Sequence, residues 1–200
     1  NLARETRALD EISQVILSEE GDLRIEIGEQ EQLVVEAEDN LLEYLVAAVN
    51  HDSLDIKKHP DNVQLKATKP IRYFLTVRSL ESLTVKNSGD VEIAEIKGAR
   101  FELRITGSGD VRINHLMVDS LEAELTSSGD LTISEGTANE QELRLSSSGD
   151  YDGKNVVCQR ARVILSSSGE ATVNVLERLI ASTTSSGNVY YLGLGNHVLA

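Results

Sequence analysis

Asn87-Ser88-Gly89-Asp90 returns as Gly107-Ser108-Gly109-Asp110, Ser127-Ser128-Gly129-Asp130, Ser147-Ser148-Gly149-Asp150, Ser167-Ser168-Gly169-Glu170 and Ser185-Ser186-Gly187-Asn188. The intervals between the glycines are 20 residues four times and then 18. A fixed period of this size is the mark of stacked repeats, and it outranks every local propensity in deciding the fold.

Apolar residues alternate on both sides of each phrase. Phe101, Leu103 and Ile105 precede the second copy, and Val111 and Ile113 follow it; Leu121, Ala123 and Leu125 precede the third, and Leu131 and Ile133 follow. Period-two alternation belongs to strands with one buried face. Each repeat is therefore expected to hold two short strands, with one corner at the phrase and a looser one near 94–99, 114–119, 134–139 and 154–159. Successive copies run in the same direction and can pair only as parallel strands. The ordinary parallel connection is a crossover of about a dozen residues or more, usually a helix, and no amphipathic helix fits inside these units. Coil stacked on coil remains: an all-β, parallel β-helix-like solenoid, right-handed by the rule for parallel crossovers.

The corner residues divide the work. Gly89, Gly109, Gly129, Gly149, Gly169 and Gly187 are expected to supply backbone with φ > 0, and the neighbouring Ser, Asp and Asn side chains to hydrogen-bond their own turns. Stacking at about 4.8 Å per coil turns the serines into a ladder. It also makes an acidic column of Asp90, Asp110, Asp130, Asp150 and Glu170, ending at Asn188. Adjacent carboxylates at that distance repel by roughly 1 kcal/mol in water, so the column needs solvent, backbone donors or a cation. It reads as turn capping; as a cation site it lacks a converging set of ligands.

Upstream of residue 81 the strict period is lost. Glu20-Gly21-Asp22, followed by Leu23, Ile25 and Ile27, is a faint echo of the repeat. Residues 1–10 are polar and fit an edge strand or a frayed end. Asp39-Asn40 can cap a helical turn over 41–49, where Leu41, Leu42, Leu45, Val46 and Val49 have helical spacing; an irregular apolar loop reads the same residues nearly as well. Leu54 and Ile56 suggest a strand, His59-Pro60-Asp61-Asn62 a turn, and Val63, Leu65 and Ala67 another strand. The whole of 1–200 reads as one solenoid domain, with 1–80 an irregular β layer that caps it and 81–196 the regular coils. Atypical ends are usual for such stacks.

Composition narrows the classes. The net charge of −14 argues against nucleic acid or an anionic membrane surface as partner. One cysteine, Cys158, leaves no internal disulfide and no cysteine zinc site. No apolar run of about 18 residues could span a bilayer as a helix, and no leader pattern is present. Asn1 is not an initiator, so a longer precursor is expected.

Together these features resemble the bacterial family called putative auto-transporter adhesin, head GIN domain. The likeness runs from about Leu9 to Asn196 and is carried by the phrases at 88–90, 108–110, 128–130 and 148–150. Asp39-Asn40-Leu41-Leu42 followed by Leu54-Asp55-Ile56, and the closing Gly187-Asn188-Val189-Tyr190-Tyr191-Leu192-Gly193, also carry it. Glu170 and Asn188 depart from the phrase. The resemblance implies β-helix-like domains of the cell envelope or of secreted proteins, often behind a signal or lipoprotein leader. It implies no catalytic residues and no cofactor.

The residues themselves add little chemistry. His51, His59, His115 and His197 lack metal-ligand spacing. There is no G-x-S-x-G elbow, no G-x-G-x-x-G after a strand and no phosphate loop. Glu102, Glu122 and Glu142 should stack on one outer face beside Arg104, Glu124 and Arg144, with Arg162 continuing the first column; this reads as a solvated ionic ladder. Thr132 and Thr172, separated by Asp152, form no regular threonine array. The expected function is a non-catalytic envelope or surface module binding an unknown ligand, glycan or protein. The alternatives are a carbohydrate-active enzyme on a β-helix scaffold, suggested by fold analogy alone, and a structural or assembly domain. The C-terminal end, where Tyr190, Tyr191, Leu192, Leu194, Val198 and Leu199 gather, is expected to serve self-association or docking.

Overall fold

The computed structural model describes residues 1–60, 62 and 64–193. Strands alone build it, with no helix among the described residues. The repeats form β9 (Val91–Ile105), β10 (Val111–Leu125), β11 (Leu131–Leu145), β12 (Tyr151–Leu165) and β13 (Glu170–Thr183). They stack in parallel, and β9 to β12 in register, so that Val111 pairs with both Val91 and Leu131, and Leu125 with both Ile105 and Leu145; between β12 and β13 the register shifts twice, between Gly153 and Val157 and between Cys158 and Arg160. The period of 20 fixes this register: equivalent residues lie over one another, and the buried positions form continuous columns, largely aliphatic, which Phe101, Gln141 and Tyr151 interrupt.

Each coil has three sides rather than the two expected. In β10 the buried residues are Val111 and Ile113, then Leu116 and Val118, then Leu121, Ala123 and Leu125. The alternation breaks at Asn114-His115 and at Asp119-Ser120, where neither neighbour is buried and the parallel ladder skips Asn114 and Asp119. The looser corner is thus a short side of its own, bounded by two bends. A side of three residues is too brief to show alternation, which is why the sequence hides it.

The N-terminal quarter is displaced in space relative to its order in the chain. β2 (Gln14–Leu17) and β3 (Asp22–Ile27) make a coil that lies against β8 (Ser82–Val85) and β9. On its far side β6 (Ser53–Lys58) and β7 (Arg72–Val77) make the next coil, parallel to β2 and β3. The first coil in sequence is therefore the second in the stack. Beyond β7 the direction changes. β4 (Gln32–Glu38) runs antiparallel to β7, β1 (Leu2–Ala8) antiparallel to β4, and β5 (Leu45–Asn50) antiparallel to β6. These strands cap the stack, so residues 1–10 provide an edge strand.

Two local expectations fail here. Residues 41–49 form no helical turn: Leu41 and Tyr44 close tight turns back to Glu38 and Leu41, and β5 then pairs with β6. β-branched Val46 and Val49 complete a sheet edge, and that ladder overrides the helical spacing. Nor is there a strand at Leu65 and Ala67. The Glu38 carboxylate takes the backbone N–H of Thr68 at 2.7 Å and its hydroxyl at 2.8 Å, which ties the chain down outside the sheet. Asp61 and Val63, parts of the expected turn and strand, lie outside the described residues, as do His197 and 194–200 as a whole.

Candidate binding groove

The repeated phrase does its work between coils, not within one. The phrase glycines do not have positive φ; among the described glycines only Gly21 and Gly193 do. They are glycines because the coils touch there. A Cβ on Gly109 would overlap the carbonyl oxygen of Gly89, and one on Gly129 would overlap that of Gly109 while meeting the Ile105 methyl at 2.9 Å. Close approach of backbone to backbone, not handedness, is what demands the missing side chain.

The acidic column obeys the same logic. Asp90 Oδ1 accepts the backbone N–H of Asp110 at 3.0 Å, Asp110 that of Asp130 at 2.9 Å, Asp130 that of Asp150 at 2.8 Å, and Asp150 that of Glu170 at 2.7 Å. Asp22 begins the column, its Oδ1 3.4 Å from Asp90 N. Each carboxylate caps the next coil rather than its own turn, and a charged acceptor strengthens such a bond. Glu170 ends the run by accepting from Asn188 Nδ2 and the Tyr190 hydroxyl, both at 3.3 Å. Every link from Asp22 to Asp150 uses Oδ1, so the second oxygen of each carboxylate takes no part in the links. The serines in the second place of each phrase are exposed, and no serine ladder forms. Only the first place takes part, where Ser167 donates to the Ser147 carbonyl.

A groove of about 380 Å³ runs beside this column on the first side of the coils. Two rows of side chains line it. One is the column itself: Asp22, Asp90, Asp110 and Asp130. The other crosses the strands in register as Phe74, Arg24, Glu92, Arg112 and Thr132. Arg72, held by Glu36 at 3.2 Å, closes the cap end. Arg24 reaches Glu92 at 3.5 Å, whereas Arg112 is exposed and has no ion pair among the described residues. Five carboxylates face three guanidinium groups, leaving an excess of two negative charges. Arg24, Arg72, Phe74, Glu92 and Arg112 were not singled out from the sequence. Arg24 stands two places after Asp22 as Arg112 does after Asp110, so the faint phrase Glu20-Gly21-Asp22 was the usable signal.

The other outer sides differ. On the third, Glu102, Glu122 and Glu142 stack in register as expected, with Arg162 next. The ladder is neutralised by Arg100 between Glu102 (2.6 Å) and Glu122 (2.7 Å), by Arg104 with Glu124 (2.8 Å), and by Arg144 with Glu142. On the second side Met117 and Val157 are exposed on either side of Thr137, in a shallow depression that Asp119, Asn139 and Gln159 also line. His115 lies 2.6 Å from Glu135 and His51 2.9 Å from Asn50. Among the described residues no cluster of three or more His, Cys, Asp or Glu could hold a metal ion.

Stacked parallel coils, an antiparallel cap and a charged axial groove define a β-solenoid module. The chain belongs to the family described as putative auto-transporter adhesin, head GIN domain, whose model matches residues 11–195. Its fold is similar to that of a putative adhesin from Bacteroides fragilis, at 20% identity over 96% of this chain and 95% of that one, with a TM-score of 0.86. It is also similar to a putative lipid binding protein from Parabacteroides distasonis (21% identity, 97% and 95% covered, TM-score 0.67) and to a putative adhesin from Parabacteroides merdae (15%, 96% and 94%, 0.63). At these identities the likeness is one of fold. No curated protein matches the chain.

Proposed function

We propose that the chain is a non-catalytic binding module of the bacterial cell envelope or surface, with the groove on the first side as its binding face. Membership of an adhesin family supports the setting. The observation that carries the reading is the groove itself: an extended concavity beside a charged column, with Arg112 exposed and in no ion pair among the described residues. The carboxylates argue for binding over hydrolysis. A glycosidase sets one pair of carboxyl groups in unlike environments around one bond, whereas these stand at equal intervals, each capping the next coil. Purified, labelled protein added to envelope fragments tests the reading. Wild type should bind and release no new reducing ends, and Arg112→Glu should lose at least about tenfold in affinity. Equal binding by the variant, or product release, would overturn it.

A further inference from the structure

We infer that the groove takes an uncharged, hydroxyl-rich chain, a linear glycan laid along the solenoid axis; this rests on reading the groove as the binding face. The first ground is the arrangement of donors and acceptors. One row offers carboxylate oxygens at the coil spacing, about 4.8 Å. The row beside it offers the guanidinium donors of Arg24 and Arg112 and the Thr132 hydroxyl. Glu92 stands between the two arginines, 3.5 Å from Arg24, so a ligand lying across both rows meets acceptors along one side and alternating donors and acceptors along the other. A hydroxyl does both at once, and a sugar chain repeats its hydroxyls with an advance close to that of the coils.

Charge supplies the second ground. An excess of two negative charges lies against a chain whose own net charge is −14. Polyanions, whether acidic glycans or nucleic acids, are repelled. A cationic peptide would gain from the carboxylates but would meet Arg24, Arg72 and Arg112 along the same path. A peptide also gains most from sheet edges, where its main chain can pair, and the groove is a sheet face. Shape is the third ground. The groove crosses β7, β3, β9, β10 and β11 at right angles to the strands, so it favours length over bulk.

The test is a calorimetric titration of the full chain. The probes are neutral linear hexasaccharides with glucose, mannose and N-acetylglucosamine backbones, their disaccharides, hexagalacturonate and hexalysine. At least one neutral hexamer should bind, its disaccharide at least about tenfold more weakly. Arg112→Ala and Asp110→Asn should each lose at least about tenfold, and Arg104→Ala on the third side should not. Asp110→Asn keeps an oxygen for the Asp130 N–H, so a fold defect is separable by melting temperature. The inference is overturned if no neutral hexamer binds, if both groove variants bind like wild type, or if hexagalacturonate or hexalysine is preferred. Envelope binding by Arg112→Glu separates the two readings. If it is lost while every neutral hexamer fails, the groove stands and the glycan falls; if it is retained, both fall.

Discussion

The Tyr151 hydroxyl donates to Gln141 Oε1 across 2.8 Å inside the coil, where both side chains are buried. Gln141 occupies the column of Phe101, Leu121 and Ala161, and Tyr151 that of Val111, Leu131 and Ala171. Room for the phenol comes from Gly153, where a Cβ would overlap the ring. Burial pushes the Tyr151 phenol well above its ordinary pKa, so it remains a donor at any working pH. Gln141 Nε2 has no partner. Tyr151→Phe should therefore cost about 1–3 kcal/mol by stranding the amide oxygen as well, and Gln141→Leu added to it should recover most of that loss. Urea unfolding of the two variants decides it; a single variant as stable as wild type would contradict the pairing.

Gly129→Val should destabilise by about 1–3 kcal/mol, as overpacking does. The cause is steric overlap with the Gly109 carbonyl and Ile105. Gly98 is the control, because a Cβ there meets nothing within 4 Å. Thermal melts of Gly129→Val and Gly98→Ala should differ clearly. Similar melting temperatures would remove the close contact as the reason for the phrase.

Acid should loosen the cap before the coils. Three carboxylates are held below their usual range: Glu36 by hydrogen bonds from Arg4 and Arg72, Glu38 by the Thr68 backbone N–H and hydroxyl, and Asp52 by Ser13 and Gln14. All three belong to residues 1–80. A depressed folded-state pKa gives stability that is present above the unfolded value and lost as pH falls through the folded one. For Glu36 and Glu38 the loss should begin below about 4.5, the ordinary value, and deepen toward lower pH. Hydrogen exchange of β1 and β4 amides should rise over that window while β10 and β11 stay protected. Uniform loss of protection would refute it.

The repeat was legible and the strand order of the cap was not, for one physical reason. Period and register coincide wherever Leu121, Gln141 and Ala161 lie over one another, so spacing alone predicts the columns. Upstream, Asp22 lies beside Asp90, 68 residues later, and no spacing rule reaches that far. The phrase glycines were legible as corners but misread in mechanism, since crowding and positive φ select the same residue. The acidic column was legible, but its partner in the next coil was not, because the sequence does not say which turn a carboxylate caps.

Self-association should use the C-terminal end. β14 (Asn188–Leu192) pairs with β13 only over Glu170–Asn174, so among the described residues nothing pairs with the outer edge at 175–183. Open edges invite another chain, and Tyr190, Tyr191 and Leu192 are about half exposed beside it. Leu194, Val198 and Leu199, also expected there, lie outside the described residues. Net charge opposes the contact, so it should strengthen with salt as screening shortens to about 8–10 Å. Light scattering of the intact chain and of one ending at Asn188 tests this: a monomer at every salt concentration, or equal association after truncation, would sink it.

The coil of β2 and β3 lies between one neighbour built from residues 53–77 and another built from 82–93. During synthesis one of its edges must therefore wait until about 50 further residues have emerged and the other until about 65 have; loop closure on that scale is slow relative to local pairing. The first 93 residues thus act as an indivisible starter. The coils from Val91 to Leu165 repeat in register, so inserting or removing a whole period of 20 there would keep the buried columns aligned, provided that Gln141 and Tyr151 stay together. A change of length by whole coils would shorten or lengthen the groove while leaving untouched the end on which the stack is built.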